Sequence, residues 1–93
     1  MPVDGVSLGQ VVRTNAGRDK GSIYLVVGIK VPNGVWVANG RNRSITKPKL
    51  KNVRHISVLA LIDKGVAAKI ASEVQVTDEE IRQSIKACVY TGE

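Results

Sequence analysis

Residues 9–30 read GQVVRTNAGRDKGSIYLVVGIK, and this stretch decides the fold. Its second half carries the strongest strand signal in the chain. Over residues 22–30, Ile23, Leu25, Val27 and Ile29 alternate with Tyr24, Val26 and Gly28. Apolar residues on both faces predict a central strand that is covered on both sides. Upstream, residues 10–13 predict a short strand that stops at the polar pair Thr14 and Asn15. Between the two strands lies a charged loop in which Gly17 and Gly21 bracket Arg18, Asp19 and Lys20. Glycine lets a backbone approach an anion closely and the two cations attract one, so the loop is a candidate phosphate contact. Asp19 lowers the local field and is expected to pair with one of its cationic neighbours or to fix the turn.

Outward from this unit, Val31, Pro32, Asn33 and Gly34 hold proline and glycine where turns favour them and lead into a strand over residues 35–38. Asn39-Gly40 is a hairpin signal, so residues 41–46 are expected to return as a fourth strand. Pro48 places the chain in a loop or at an edge, and residues 53–60 supply a fifth strand. Five short strands with tight turns predict a mainly β fold, a small SH3-like barrel. Fifteen valines and eight isoleucines against one Trp, two Tyr and no Phe favour strands over a helix bundle.

From Leu61 the period changes. Ile62, Val66 and Ile70 recur as on one stripe of a helix, although Gly65 weakens it. Thr77-Asp78-Glu79-Glu80 is a capping box opening a second helix, whose expected buried stripe is Ile81, Ile85 and Val89. The expected organisation is therefore a barrel over residues 1–61 and a short helical extension over 62–93 packed on it.

The net charge of +6 is unevenly spread: residues 1–56 hold ten Lys and Arg against Asp4 and Asp19, while residues 57–93 hold four against six acids. A field concentrated on the N-terminal part points to nucleic acid or another anionic surface. Its second basic element is Arg41 and Arg43, followed by Lys47, Lys49, Lys51 and Arg54. In an extended chain the first five share one parity and would form a row matched to a phosphate backbone. The competing reading is a solvated edge strand that uses lysine against aggregation. The neighbouring glycine loop favours RNA. Trp36 and Tyr24 are each open to two roles, a stacking platform for a base or an anchor packed under the C-terminal helices, and the second is favoured because aromatics commonly anchor small cores.

Other chemistries find little support. A single cysteine, Cys88, allows no internal disulfide and no metal site built on cysteine pairs, and it suits a reducing cytoplasm. His55 is the one histidine, without a partnered nucleophile or acid at a telling spacing. No GxxxxGK[ST] run, metal-ligand spacing or catalytic acid pair is present, so no enzyme, cofactor or small-molecule substrate is expected. The opening MPVDGVSLGQ lacks the charged and apolar regions of a signal peptide, and the apolar run over residues 58–62 is too short to cross a bilayer. A cytoplasmic protein without a membrane partner is the expectation.

GQVVRTNAGRDKGSIYLVV resembles the KOW motif, a β-turn-β unit, in the AGRD version found in certain large-subunit ribosomal proteins of archaea and eukaryotes. The Asn39-Gly40 turn with Arg41 and Arg43, the PKLKN segment and Arg54-His55-Ile56 are similar to bacterial KOW-domain RNA-binding proteins. The likeness runs from Gly9 to about Ala60, and the tail resembles the helical extension of the bacterial members. Where relatives often carry Asp-Gly, this chain has Asn39-Gly40, which keeps the turn and removes a charge. The resemblance implies an SH3-like barrel, contact with ribosomal or ribosome-associated RNA, and no catalysis. It lays the loop role on Asn15, Gly17, Arg18, Asp19, Lys20 and Gly21.

Together these readings predict a non-catalytic, ribosome-associated RNA-binding protein of translation, with ribosomal RNA and ribosomal proteins as partners. Its expected RNA-binding residues are Arg13, Asn15, Gly17, Arg18, Lys20, Gly21, Arg41, Arg43, Lys47, Lys49, Lys51, Arg54 and His55. The alternative is an SH3-like protein-interaction module whose contacts are Trp36, Tyr24 or the acidic tail.

Overall fold

Valine and isoleucine are stiff about their first side-chain torsion and pack well on a pleated surface, so the apolar segments of this chain form strands. The computed structural model describes residues 5–90. It contains β1 (Gln10–Thr14), β2 (Ile23–Lys30), β3 (Gly34–Ala38), β4 (Lys49–Asn52) and β5 (Ile56–Ile62), then α1 (Lys64–Ala71) and α2 (Asp78–Tyr90). A single 3-10 turn, Val53–His55, separates β4 from β5. All neighbouring strands are antiparallel in the order β4-β3-β2-β1-β5. The last strand thus returns to the first, pairing Thr14 with Ile56 and Gln10 with Ile62. The mainly β body of five strands followed by two short helices agrees with the expected class.

Both faces of the sheet are covered. On one, Val12, Tyr24, Val26, Val35 and Val37 pack with Val6, Val53 and Ile56. On the other, Val11, Leu25, Val27 and Ala38 meet Val66, Val76, Ile81 and Cys88 from the helical segment. Each fully buried Val, Leu or Ile contributes roughly 1.5–3 kcal/mol, so the helices stabilise a sheet face that would otherwise be wet. The alternation expected for β2 holds up to Val27. A register shift between Val26 and Gly28 then turns Ile29 to the opposite cluster from Leu25 and Val27. Trp36 packs with the helix-side cluster, whereas Tyr24 is buried in the other one and not under the helices.

The expected fourth strand over residues 41–46 does not form. The Asn39 side-chain oxygen accepts from the backbone N–H groups of Arg41 (2.9 Å) and Arg43 (3.0 Å), and the Asp78 carboxylate accepts from that of Ile45 (2.7 Å) and from the Ser44 hydroxyl (2.7 Å). Donors that a ladder would need go to side chains instead. The fourth strand is β4, directly after Pro48. The fifth begins later than expected, because the Asn52 side chain accepts from Arg54 N–H (2.9 Å) and caps the 3-10 turn.

In β5 extra residues face β1, and the buried Gln10 amide donates to the carbonyls of Leu59 (2.8 Å) and Leu61 (3.2 Å) left over there. Ile62 ends β5 and does not open a helix; α1 starts after Asp63, whose carboxylate accepts from Val66 N–H (3.0 Å). The capping box at α2 is present: Glu80 N–H donates to the Thr77 hydroxyl and Thr77 N–H to the Glu80 carboxylate, both at 3.2 Å. Its buried stripe is Ile81, Ser84 and Cys88, with Val89 46% exposed. Steps of four residues overshoot a helical turn by about 40°, so residues 81, 85 and 89 drift off the buried face. The helix start presses on Gly40, where φ is +74° and a Cβ would lie 2.5 Å from the Asp78 carbonyl oxygen. Gly40→Ala is therefore expected to lower the unfolding free energy by about 2 kcal/mol or more, measured by chemical denaturation.

Candidate nucleic-acid interface

The loop between β1 and β2 is closed by Thr14. Its backbone N–H donates to the Ser22 carbonyl (2.9 Å), its carbonyl accepts from Gly21 N–H (2.8 Å), and its buried hydroxyl donates to the Asp19 carbonyl (2.5 Å). Lys20 N–H donates to the Gly17 carbonyl (3.3 Å), tightening the tip. Gly17 (φ +86°) and Gly21 (φ +92°) hold left-handed conformations, and a Cβ at Gly21 would meet nothing within 4 Å. The loop backbone is thus open where the glycines lie, and Asn15, Arg18 and Lys20 are exposed.

Asp19 pairs with neither Arg18 nor Lys20. Its carboxylate turns to the far edge of the sheet and accepts from Lys51 Nζ (2.9 Å), Lys49 Nζ (3.4 Å) and the Tyr24 hydroxyl (2.8 Å). The bond from Lys51 is the largest influence on Asp19; burial opposes it, and Tyr24 and Lys49 add to it, so the carboxyl is lowered from 3.8 to about 2. Burial, and then its bond to Asp19, raise the Tyr24 phenol above its ordinary value, while the charge of Arg43 works against them. One acid therefore fastens the cationic loop onto β4.

This arrangement gathers some of the expected residues and separates others. Arg18 and Lys20 lie on the loop that Asp19 ties to Lys49 and Lys51, and Arg43 is near enough to act on Tyr24. The Lys51 side chain is only 11% exposed, so its charge is largely spent on Asp19. Arg54 and His55 are exposed on the 3-10 turn, and Asn15 joins them to the loop: its N–H donates to the His55 carbonyl (2.9 Å) and its side-chain amide to Ser57 (3.2 Å). Lys47 is exposed just before β4, where its carbonyl accepts from Arg43 Nη1 (3.5 Å). The expected single row through Arg41, Arg43, Lys47, Lys49 and Lys51 is not formed, because the backbone over residues 41–48 is looped.

Arg13 and Arg41 lie elsewhere. Arg13 is paired in register with Ile23 on the helix-facing side of the sheet, and Arg41 stands beside α2 with Arg82 and Lys86. Sequence reasoning missed the lysine partners of Asp19, which sit about thirty residues downstream. The signal available was an acid set among cations in a short loop. Among the described residues no group of three His, Cys, Asp or Glu side chains is placed to hold a metal ion, and no helix is long and apolar enough to cross a membrane.

No protein-family model matches the chain. A Bacillus subtilis (strain 168) protein named "Putative ribosome-binding protein YbzG" is 31% identical to it over 71 residues, which make up 76% of this chain and 96% of the relative.

A carboxyl lowered on folding stabilises the fold above its unfolded value near 3.8, and that contribution is lost as the pH falls towards 2. Asp19→Asn is accordingly expected to cost about 1–2 kcal/mol at neutral pH, allowing for partial solvent screening of the pair. The gap between wild type and variant should close as the pH is lowered from about 5 to about 2, read from denaturation midpoints.

Proposed function

The chain belongs to the same family as that Bacillus subtilis protein, and from this premise we propose that it is a non-catalytic, cytoplasmic RNA-binding protein that associates with the ribosome. The observation that carries the reading is the Asp19 bridge. It holds a glycine-bracketed loop bearing two exposed cations against a second basic segment, so that positive charge from two distant parts of the chain meets at one place.

In this reading the loop is that of a KOW unit. Arg18 offers a planar fork for phosphate or a guanine edge, and Lys20 a mobile point charge. Lys47, Lys49, Arg43, Arg54 and His55 extend the contact on either side. Tyr24 is buried with its hydroxyl on Asp19, and Trp36 is partly buried against the helix-side cluster, so this reading uses neither as a base-stacking platform. Recognition through this face is therefore by phosphate position and RNA shape, the mode suited to folded RNA helices.

Phosphate-led binding releases counterions. If about four or five phosphates are neutralised, the logarithm of the affinity should fall with the logarithm of salt at a slope near −4, at roughly −0.9 per contact on a duplex. Reversing Arg18 and Lys20 together to Glu should abolish retention on purified ribosomes and on structured RNA while leaving the melting temperature unchanged, since both side chains are exposed. Retention that survives both the reversal and high salt would instead favour a protein contact.

A further inference from the structure

A second basic feature lies on the helix side of the sheet. There Ile23, Ile85 and Val89 line a groove of about 530 Å³ together with Arg41, Arg82 and Lys86. Asn39, Gln83 and Glu79 complete the wall, giving three cations and one carboxylate among the described residues. That carboxylate is already engaged: Glu79 accepts from Gln83 Nε2 (2.8 Å) and Arg82 Nη2 (2.7 Å), and these bonds, with the nearby charges of Arg82 and Lys86, keep it below the usual glutamate range. Arg82 also donates from Nη1 to the Gly40 carbonyl (2.5 Å), so this side of the groove is braced to the loop that carries Arg41. Arg41 is exposed, and Arg13 adds a further cation on the same sheet face as its register partner Ile23.

Among the described residues the lining has three chemistries side by side: apolar side chains, two carboxamides, and an excess of positive charge. A duplex offers only stacked bases and cannot present one to such a lining, whereas an unpaired nucleotide can. The volume falls within the range of about 300–1,000 Å³ usual for small-molecule sites. Resting on the RNA-binding reading above, we propose that this groove takes one unpaired nucleotide of the bound RNA, with its base on Ile23, Ile85 and Val89 and its phosphate on the exposed Arg41. The Gln83 carboxamide can meet the edge of the base. The chain then grips RNA on two faces, a folded region at the glycine loop and a single-stranded nucleotide beside α2.

Methyl and side-chain amide NMR on the full chain tests this, with three probes: a mixed-sequence single-stranded hexaribonucleotide, a short RNA duplex, and a ribonucleoside monophosphate. The hexamer is expected to shift the methyls of Ile23, Ile85 and Val89 and the amide of Gln83, and the duplex to shift the loop and leave those methyls in place. Val89→Glu, at a half-exposed position, should weaken hexamer binding about tenfold or more with melting temperature and duplex binding unchanged. A hexamer that moves loop resonances alone, or that binds Val89→Glu as it binds wild type, overturns the proposal. A monophosphate that binds as tightly as the hexamer overturns RNA as the source. An acidic peptide that moves the same methyls more tightly than the hexamer assigns the groove to a protein partner and overturns it as well. Failure of duplex and hexamer alike at every surface would sink the RNA-binding reading itself, a result distinct from the others.

Discussion

The contact on which the proposed interface depends is the carboxylate of Asp19 between the ammonium groups of Lys51 and Lys49. Lys49 and Lys51 bring two ammonium groups to one carboxylate, and like charges that close repel one another. An opposite charge between the two lysines offsets this repulsion and ties the loop, already closed on Thr14, to β4. Asp19 supplies that charge, and the Tyr24 hydroxyl, rising from the core beneath, sets its direction. The acid that looks misplaced in a basic loop ties that loop to the basic strand β4.

That bridge works because the sheet beneath it does not yield. β2 is covered on one face by valines and Tyr24 and on the other by the helical segment, so the base of the loop is anchored in two clusters at once. The helices have a second consequence. Asp78 and Arg82 hold residues 40–45 in a loop, which directs Arg41 away from the lysines and towards α2. The Asp78 carboxyl is held below its ordinary value first by the Ile45 N–H and then by the Ser44 hydroxyl, the same bonds that deny residues 41–46 a place in the ladder. One set of hydrogen bonds therefore docks the helix and divides the cations between two faces.

Much of the fold was legible because its signals are local. The alternation through β2, the turn at Pro32 and Asn33, and the Thr77 capping box each depend on residues within a few positions of one another. What was not legible depends on partners far along the chain. Asn39-Gly40 looks like a hairpin turn until Asp78 takes the donors that the hairpin would need. The parity of Ile29 follows from a bulge that no periodicity announces, and the direction of Asp19 from lysines about thirty residues on. For the candidate site, composition marked where the charged segments lie along the chain. It could not say which would face the same way, because that was decided by a loop where a strand was expected.

The central claim is that positive charge gathered at the Asp19 bridge meets ribosomal RNA, and crosslinking in living cells tests it most directly. RNA fragments attached to the protein would be sequenced and the crosslinked peptides mapped. The account predicts fragments concentrated in ribosomal RNA and joined to peptides spanning residues 15–21 and 47–55. Fragments no richer in ribosomal RNA than the background, or crosslinks that avoid both segments, would contradict it.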